Sequence, residues 1–569
     1  SYAHSLQTSP GGMGGVYNTR LVSYYPEGEL PASVNTLADE DLPLFTPRNQ
    51  ILYSNPVNNK NDNPRIFLKS ILKPLKGLEA VFEYTFDKNI YDYHWYTGQY
   101  DYTTIQGGSS KSFVDDYLRK YKQHTNYNSI NVYATYNKDF GNHHFKVMAG
   151  FNQESSYQET LDTYSYNQAV LDVPAMSSGT GTIKATDSYS EYAIRGGFFR
   201  VNYNYLDKYL LEVNGRYDGS SKFPKSSRFG FFPSVSAGWQ IAQERFMNST
   251  RHWLDGLKLR ASYGVIGNQN INPYTFTPSM SVNNKATSWI IDDTYVTSIS
   301  SLPALVSQNF TWEKVGTINV GLDVNLFNNR LSGVFEWYQR NTNGMLAPGV
   351  QLPAVVGASA PYQNTADMRT RGWELSLNWR DQIGKVGYRI GFNLSDYKSE
   401  IIKYDDNAAT KLLSSYYPGQ TLGEIWGYVV DGYYTVDDFV DTSSWQLKEG
   451  VTSINGYNVR PGDVKFKNLR DDDTSTNVIT SGDNTFDNPG DRKVIGNTTP
   501  RYQYGINLGM NYAGFDLNVI LQGTGKRDYW ISNVLTFPMN GDNFVPLFEG
   551  LSDYWMPKDP DNGDWSAVN

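Results

Sequence analysis

The chain has 569 residues, a net charge of −9 and no cysteine. This length exceeds one ordinary domain, the acidic balance argues against a nucleic-acid binder, and the missing thiols remove disulfides, thiolate nucleophiles and cysteine-based zinc sites. Mean hydropathy is negative and no run of about 18 apolar residues occurs, which excludes membrane helices but not a membrane barrel, in which only alternate residues of each strand face lipid.

Taken in order, the chain alternates long strands with very short and very long connections. A short joint at Lys73–Lys76 is followed by strands at Ile130–Tyr136 and Phe145–Phe151, joined through Lys138–Asn142. Phe199, Val201, Tyr203 and Tyr205 lead through Leu206–Lys208 into Tyr209, Leu211 and Val213; strands then follow at Ser234–Ile241 and Leu257–Tyr263. After the long polar stretch Asn268–Gln308, Val315–Leu326 reads with period two. Ile318, Val320, Leu322, Val324 and Leu326 fall on one face; Thr317, Asn319, Gly321, Asp323 and Asn325 fall on the other. Phe327–Asn329 turns the chain into Leu331–Tyr338. A long excursion at Leu346–Asp367 precedes Gly372–Arg380, which returns through Asp381–Gly384 into Val386–Ser395. A third excursion, Tyr404–Pro500, precedes the hairpin Tyr504–Tyr512, Ala513-Gly514, Phe515–Leu521.

This pattern predicts an all-β fold: a large antiparallel transmembrane β-barrel of which about fourteen strands are readable. Most run at least the roughly nine to eleven residues that a tilted strand needs to cross the hydrocarbon layer, and several continue well past it. A soluble sandwich or propeller also alternates, but it would not keep its short turns at one end of strands this long, and no blade-like repeat is visible. The polar face, with Arg195, Glu212, Arg216, Arg260, Asp323, Glu374 and Arg389, is expected to line the lumen.

Several segments resemble SusC/RagA-type TonB-dependent transporters. These are Arg216-Tyr217-Asp218-Gly219-Ser220-Ser221-Lys222-Phe223, Arg228 through Trp239, Leu257 through Gly264 with Gly267-Asn268-Gln269, and Trp312-Glu313-Lys314. Asn328-Asn329-Arg330-Leu331, Gly427-Tyr428, Asp431-Gly432-Tyr433, Gly462-Asp463-Val464, Ile495-Gly496 and Pro500 also fit the resemblance. It implies an outer-membrane importer of Bacteroidota type with a 22-stranded barrel, taking glycans or peptides without catalysis and needing no cofactor. A SusD-like surface lipoprotein would cover the barrel, and the inner-membrane TonB complex would act through an N-terminal region. The plug domain and coupling motif implied by the resemblance are not recognisable, and its last strands would lie beyond Asp553-Tyr554-Trp555, so the barrel is expected to be incomplete at both ends. The expected layout is an external or barrel-entry segment at 1–63, barrel strands over 64–404, a large extracellular loop region at 405–500, a hairpin at 501–530 and a further external loop at 531–569. A structural or adhesive barrel, or a secreted aromatic-rich glycan-binding protein, are the alternative functions.

Two site candidates follow. Tyr93, Trp95, Tyr96, Tyr100 and Tyr102 crowd a short segment, and aromatic faces of this kind stack on sugar rings or pack on peptides; an aromatic girdle is the competing reading. Asp471, Asp472 and Asp473 follow Asn468 and Arg470 in a loop where relatives carry calcium-type ligands. Arg470 would occupy the third ligand position, which favours a solvated acidic loop over a metal site. His143 and His144 are adjacent beside a turn and are expected to point to opposite faces.

Overall fold

Strand follows strand in chain order around one antiparallel sheet of fifteen. A computed structural model describes residues 57–97, 116–170, 172–280, 303–307, 310–350, 352–407, 409–413, 416–470 and 477–531 with their side chains, and the backbone of a few short strands outside them. The sheet strands are β1 Tyr2–Pro10, β2 Pro56–Leu75, β3 Leu78–Thr97, β4 Tyr117–Phe140, β5 His143–Tyr166 and β6 Ile183–Tyr205. They continue as β7 Tyr209–Ser220, β8 Phe229–Gln240, β9 Leu254–Asn268, β10 Glu313–Leu326 and β11 Leu331–Pro348. The last four are β12 Tyr362–Ile383, β13 Val386–Tyr404, β14 Arg501–Tyr512 and β15 Phe515–Lys526.

The short joints are tight because their residues adopt left-handed backbone angles that match the twist of the flanking strands. Ala513 and Gly514 have φ of 50° and 88°, and Leu206 and Asp207 have 56° and 55°. One expected loop is shorter than the sequence implies. β11 and β12 run on to Pro348 and Tyr362, beyond register shifts between Thr342 and Leu346, so the gap is 349–361 rather than Leu346–Asp367. The shift absorbs Gly344, at φ 66°, and this hides the period-two signal there.

One face of the sheet is apolar and exposed. Leu259, Leu322, Phe335, Leu375, Leu394 and Tyr504 form a single cross-strand row over β9 to β14. Phe335 and Tyr504 keep 44% and 41% of their surface open, and Ile66 and Leu68 on β2 keep 54% and 56%. A contiguous apolar surface on strands this long matches the lipid-facing band of a membrane barrel.

The opposite face is ionic. On β2 and β3, Lys69 pairs with Glu83 at 2.9 Å and Arg65 pairs with Asp87. Arg260 on β9 bonds Asp323 on β10 at 3.1 Å and also reaches Glu336 on β11. Gly321 stands directly opposite Arg260, and a Cβ there would lie 2.6 Å from the guanidinium carbon. The missing side chain is what lets Arg260 cross a whole strand.

Between β13 and β14 the chain builds a unit with its own core of Tyr434, Phe439 and Val459, packed by Trp445, Leu447, Val451 and Ile454. Backbone bonds in both directions tie the segment to the end of β13: the Ile401 N–H donates to the Gln420 carbonyl and the Leu422 N–H to that of Ser399, each at 2.9 Å. Asp491, fully buried, accepts the backbone N–H groups of Leu469 at 2.8 Å and Thr480 at 2.7 Å.

Candidate functional site

β3, β4 and β5 are far longer than a membrane crossing requires, so their ends at the long-loop side project beyond the hydrocarbon. Their pairing is unbroken from Leu78–Tyr136 to Thr97–Tyr117 and from Phe140–His143 to Tyr117–Tyr166. Strand parity therefore carries straight from the membrane to the mouth. Phe82, Val132 and Phe151 form one row on the lipid face, while Glu83, Asn131 and Asn152 form the neighbouring row on the inner face. Followed upward, the inner face carries Tyr91, Tyr93 and Trp95, then Tyr117, Arg119 and Tyr121, then Asp162, Tyr164 and Tyr166.

These residues touch. Trp95 meets Tyr117 edge-on with centroids 5.6 Å apart, and Tyr117 lies 5.6 Å from both Tyr164 and Tyr166. Tyr91 packs edge-on against Tyr121 at 6.0 Å. The Arg119 guanidinium sits 5.3 Å from the Tyr93 ring and 5.2 Å from that of Tyr164, while its N–H groups are held by Asp162. Burial pushes the hydroxyls of Tyr93, Tyr117 and Tyr164 above their ordinary value, against the opposing pull of Arg119. The Asp162 hydrogen bonds raise Arg119 further. The wall thus presents ring faces and protonated hydroxyls, with Arg119 neutralised in place by Asp162 and Lys184, opposite Tyr164 on β6, set 4.6 Å from the Tyr166 ring.

Of the aromatic residues expected from sequence, Tyr93 and Trp95 lie on this wall. Tyr96 does not: it has the opposite parity, is 8% exposed, and burial pushes its hydroxyl to about 12. Its side chain therefore lies on the outer side of the wall, in the row of Leu118. Tyr100 lies outside the described residues, as do Asp471, Asp472 and Asp473. For Tyr102 only the backbone pairing of Asp101–Tyr102 with Lys111–Ser112 is described. Tyr117, Arg119, Tyr121, Tyr164 and Tyr166 were not anticipated. The signal for them was the recurrence of tyrosine at alternate positions near the ends of neighbouring strands. His143 and His144 turn apart: His143 Nδ1 lies 2.9 Å from the Tyr203 hydroxyl, and His144 Nδ1 lies 2.8 Å from Asp139 Oδ1.

Another motif region is structural. Phe223, Phe232, Phe310 and Trp312 form a buried cluster at the long-loop end of β8 to β10. Trp312 Nε1–H donates to the Arg228 carbonyl at 2.8 Å, and the Ser227 hydroxyl donates to that of Phe310 at 2.7 Å. The Lys222-Phe223, Arg228 and Trp312 motifs, distant in sequence, are thus one packed contact.

The model of the family described as TonB dependent receptor-like, beta-barrel matches residues 15–556. TonB-dependent receptor P3 of Formosa agariphila is 29% identical over 447 residues, which are 75% of this chain and 41% of the relative. TonB-dependent receptor SusC of Bacteroides thetaiotaomicron is 32% identical over 283 residues, 48% of this chain and 27% of the relative. The chain therefore spans less than half the length of these curated relatives. Among solved structures, the RagAB peptide importer in its open-open state aligns with a TM-score of 0.70 at 20% identity, over 88% of this chain and 50% of that one; the likeness is one of fold. With the lipid-facing band and the ionic inner face, the match places the chain in the TonB-dependent receptor-like β-barrel family of SusC/RagA type, an outer-membrane multi-strand barrel.

Proposed function

We propose that the whole protein imports a large polar nutrient, a glycan or a peptide, across the outer membrane, with this chain as its barrel wall. The observation that carries the reading is the continuous inner-face wall of Trp95, Tyr117, Tyr164 and Tyr166 above the membrane. Uncharged rings with hydroxyl donors suit sugar faces and peptide planes, and they bind without demanding a fixed ligand charge. In this reading the long loops face outward, a SusD-like lipoprotein closes over them, and the TonB complex supplies the energy through an N-terminal region of the whole protein. The transporter breaks no bond in its substrate. The name of SusC, a TonB-dependent receptor, supports the TonB partner, and that of the RagAB peptide importer supports a peptide as one class of cargo.

The test is a panel of oligosaccharides and oligopeptides offered to the full-length transporter. Trp95→Ala and Tyr164→Ala should each weaken binding of the accepted ligand about tenfold. Barrel yield and heat-modifiable migration should stay unchanged. Unaltered affinity in both variants would remove the wall from the substrate path.

A further inference from the structure

The joint between β8 and β9 differs from the tight turns beside it. It runs through two 3-10 segments, Ile241–Gln243 and Arg245–Thr250, before Trp253. Both ends are tied to neighbouring short turns: the Gln240 N–H donates to the Lys208 carbonyl, and the Phe327 N–H to that of Trp253, each at 2.8 Å. Between them Glu244 accepts three side-chain bonds, from the Tyr209 hydroxyl at 2.7 Å, Trp239 Nε1 at 3.2 Å and Lys208 Nζ at 3.2 Å.

Tyr209 and Trp239 are a cross-strand pair at the end of the row formed by Leu211 with Ala237 and Val213 with Val235. That row faces lipid, so Glu244 fixes the start of the connection on the lipid side of the wall, at the level where the strands end. Beyond it Phe246 is 66% exposed and Trp253 39% exposed. Arg245 and Arg251 are also exposed, and among the described residues neither pairs with a carboxylate. No acidic residue lies between 245 and 253, in a chain whose net charge is −9.

We propose that this connection is a membrane-interface strap: Phe246 and Trp253 enter the boundary between headgroups and acyl chains of the adjoining phospholipid leaflet, and Arg245 and Arg251 bind its phosphates. The proposal rests on the outer-membrane placement of the barrel and extends its lipid-facing surface past the strand ends. Aromatic rings favour that boundary, guanidinium groups match phosphate oxygens, and basic residues near an anionic surface add to the attachment. Glu244 acts as the positioning residue that keeps the strap against the wall.

These 569 residues hold no cysteine, and any in the remainder of the full-length transporter is replaced by serine. Single variants Phe246→Cys, Val213→Cys and Lys385→Cys of the full-length transporter are spin-labelled and reconstituted in phosphatidylethanolamine and phosphatidylglycerol vesicles. Lys385 lies in the turn joining β12 and β13 and reports water; Val213 reports lipid. The label at 246 should favour oxygen over a water-soluble nickel chelate, as the label at 213 does. Adding Arg245→Gln with Arg251→Gln should cost about tenfold in its preference for phosphatidylglycerol over phosphatidylcholine. Nickel accessibility equal to that at 385 overturns the proposal, and so does low access to both nickel and oxygen, the signature of a strap covered by protein instead of lipid. So does a lipid preference that the two glutamines leave unchanged. Heat-modifiable migration of each variant confirms that the barrel has formed.

Discussion

The Arg119 guanidinium holds the Asp162 carboxylate side-on, Nε to Oδ1 at 3.0 Å and Nη2 to Oδ2 at 2.9 Å, across adjacent strands. This grip fixes the cation between the Tyr93 and Tyr164 rings instead of leaving it free at the mouth. The two side chains are 29% and 18% exposed, so solvent screens the pair and its worth is modest. Asp162→Asn should lower the local stability of the projecting ends of β4 and β5 by about 1 kcal/mol. Hydrogen exchange would show faster opening at residues 117–121 and 160–166 and no change near Phe140. Unaltered protection at those ends would mean that the pair is not what orders the wall.

A crowded glycine gives a second prediction. A Cβ at Gly267 would lie 2.2 Å from Phe232 Cζ and 2.9 Å from Trp312. Gly267→Ala must therefore displace the buried cluster, at a cost of about 1–3 kcal/mol. Phe232→Leu in the same chain shortens the ring side of the clash and should recover part of the loss. Midpoints of urea unfolding in detergent for the single and double variants would decide it. Equal destabilisation with and without Phe232→Leu would assign the effect to the backbone instead.

The ionic inner face offers a third. Glu336 stands directly opposite Glu374, and Arg260 reaches the first of them by lying across Gly321. Gly321→Ala should push the guanidinium off that path and leave two carboxylates facing each other, which is destabilising by about 1 kcal/mol or more. Glu336→Gln in the same chain should relieve it. A Gly321→Ala barrel as stable as the parent, by the same urea midpoints, would show that Arg260 has another route.

Much of this geometry could be read in advance, and the reasons differ by element. The turns at Leu206–Lys208 and Ala513-Gly514 were legible because they interrupt two clean period-two runs, and the face assignment of Leu322 or Asp323 follows from parity alone. The wall at the mouth was only half legible. Trp95 and Tyr93 announce themselves as aromatic, but Arg119 joins them through pairing across a loop between β3 and β4, and register across a loop is not written in either strand. Tyr96 separates from Trp95 because neighbours in a strand face opposite ways, which a reading of the dense aromatic run as one patch does not resolve. The packed Phe223–Trp312 contact was invisible for a related reason: its halves come from separate long loops, where no periodicity constrains the partner.

The last prediction concerns pH and the strap beneath β8. Hydrogen bonds from Tyr209, then Trp239 and Lys208, hold the Glu244 carboxyl below the usual carboxylate range. A group whose pKa is depressed in the folded protein adds stability above its unfolded value and loses it as pH falls through the folded one. The attachment should therefore be complete at neutral pH, persist through pH 5, and release only below the ordinary glutamate value of about 4.3. Mobility of a spin label at Phe246→Cys, recorded against pH, should stay flat over that upper range and rise only at its acidic end. Glu244→Gln should show the mobile spectrum at every pH, since the neutral amide is a poor acceptor for the three donors. A label that loosens near pH 6 in the parent chain would place the controlling titration on another group and remove Glu244 as the anchor.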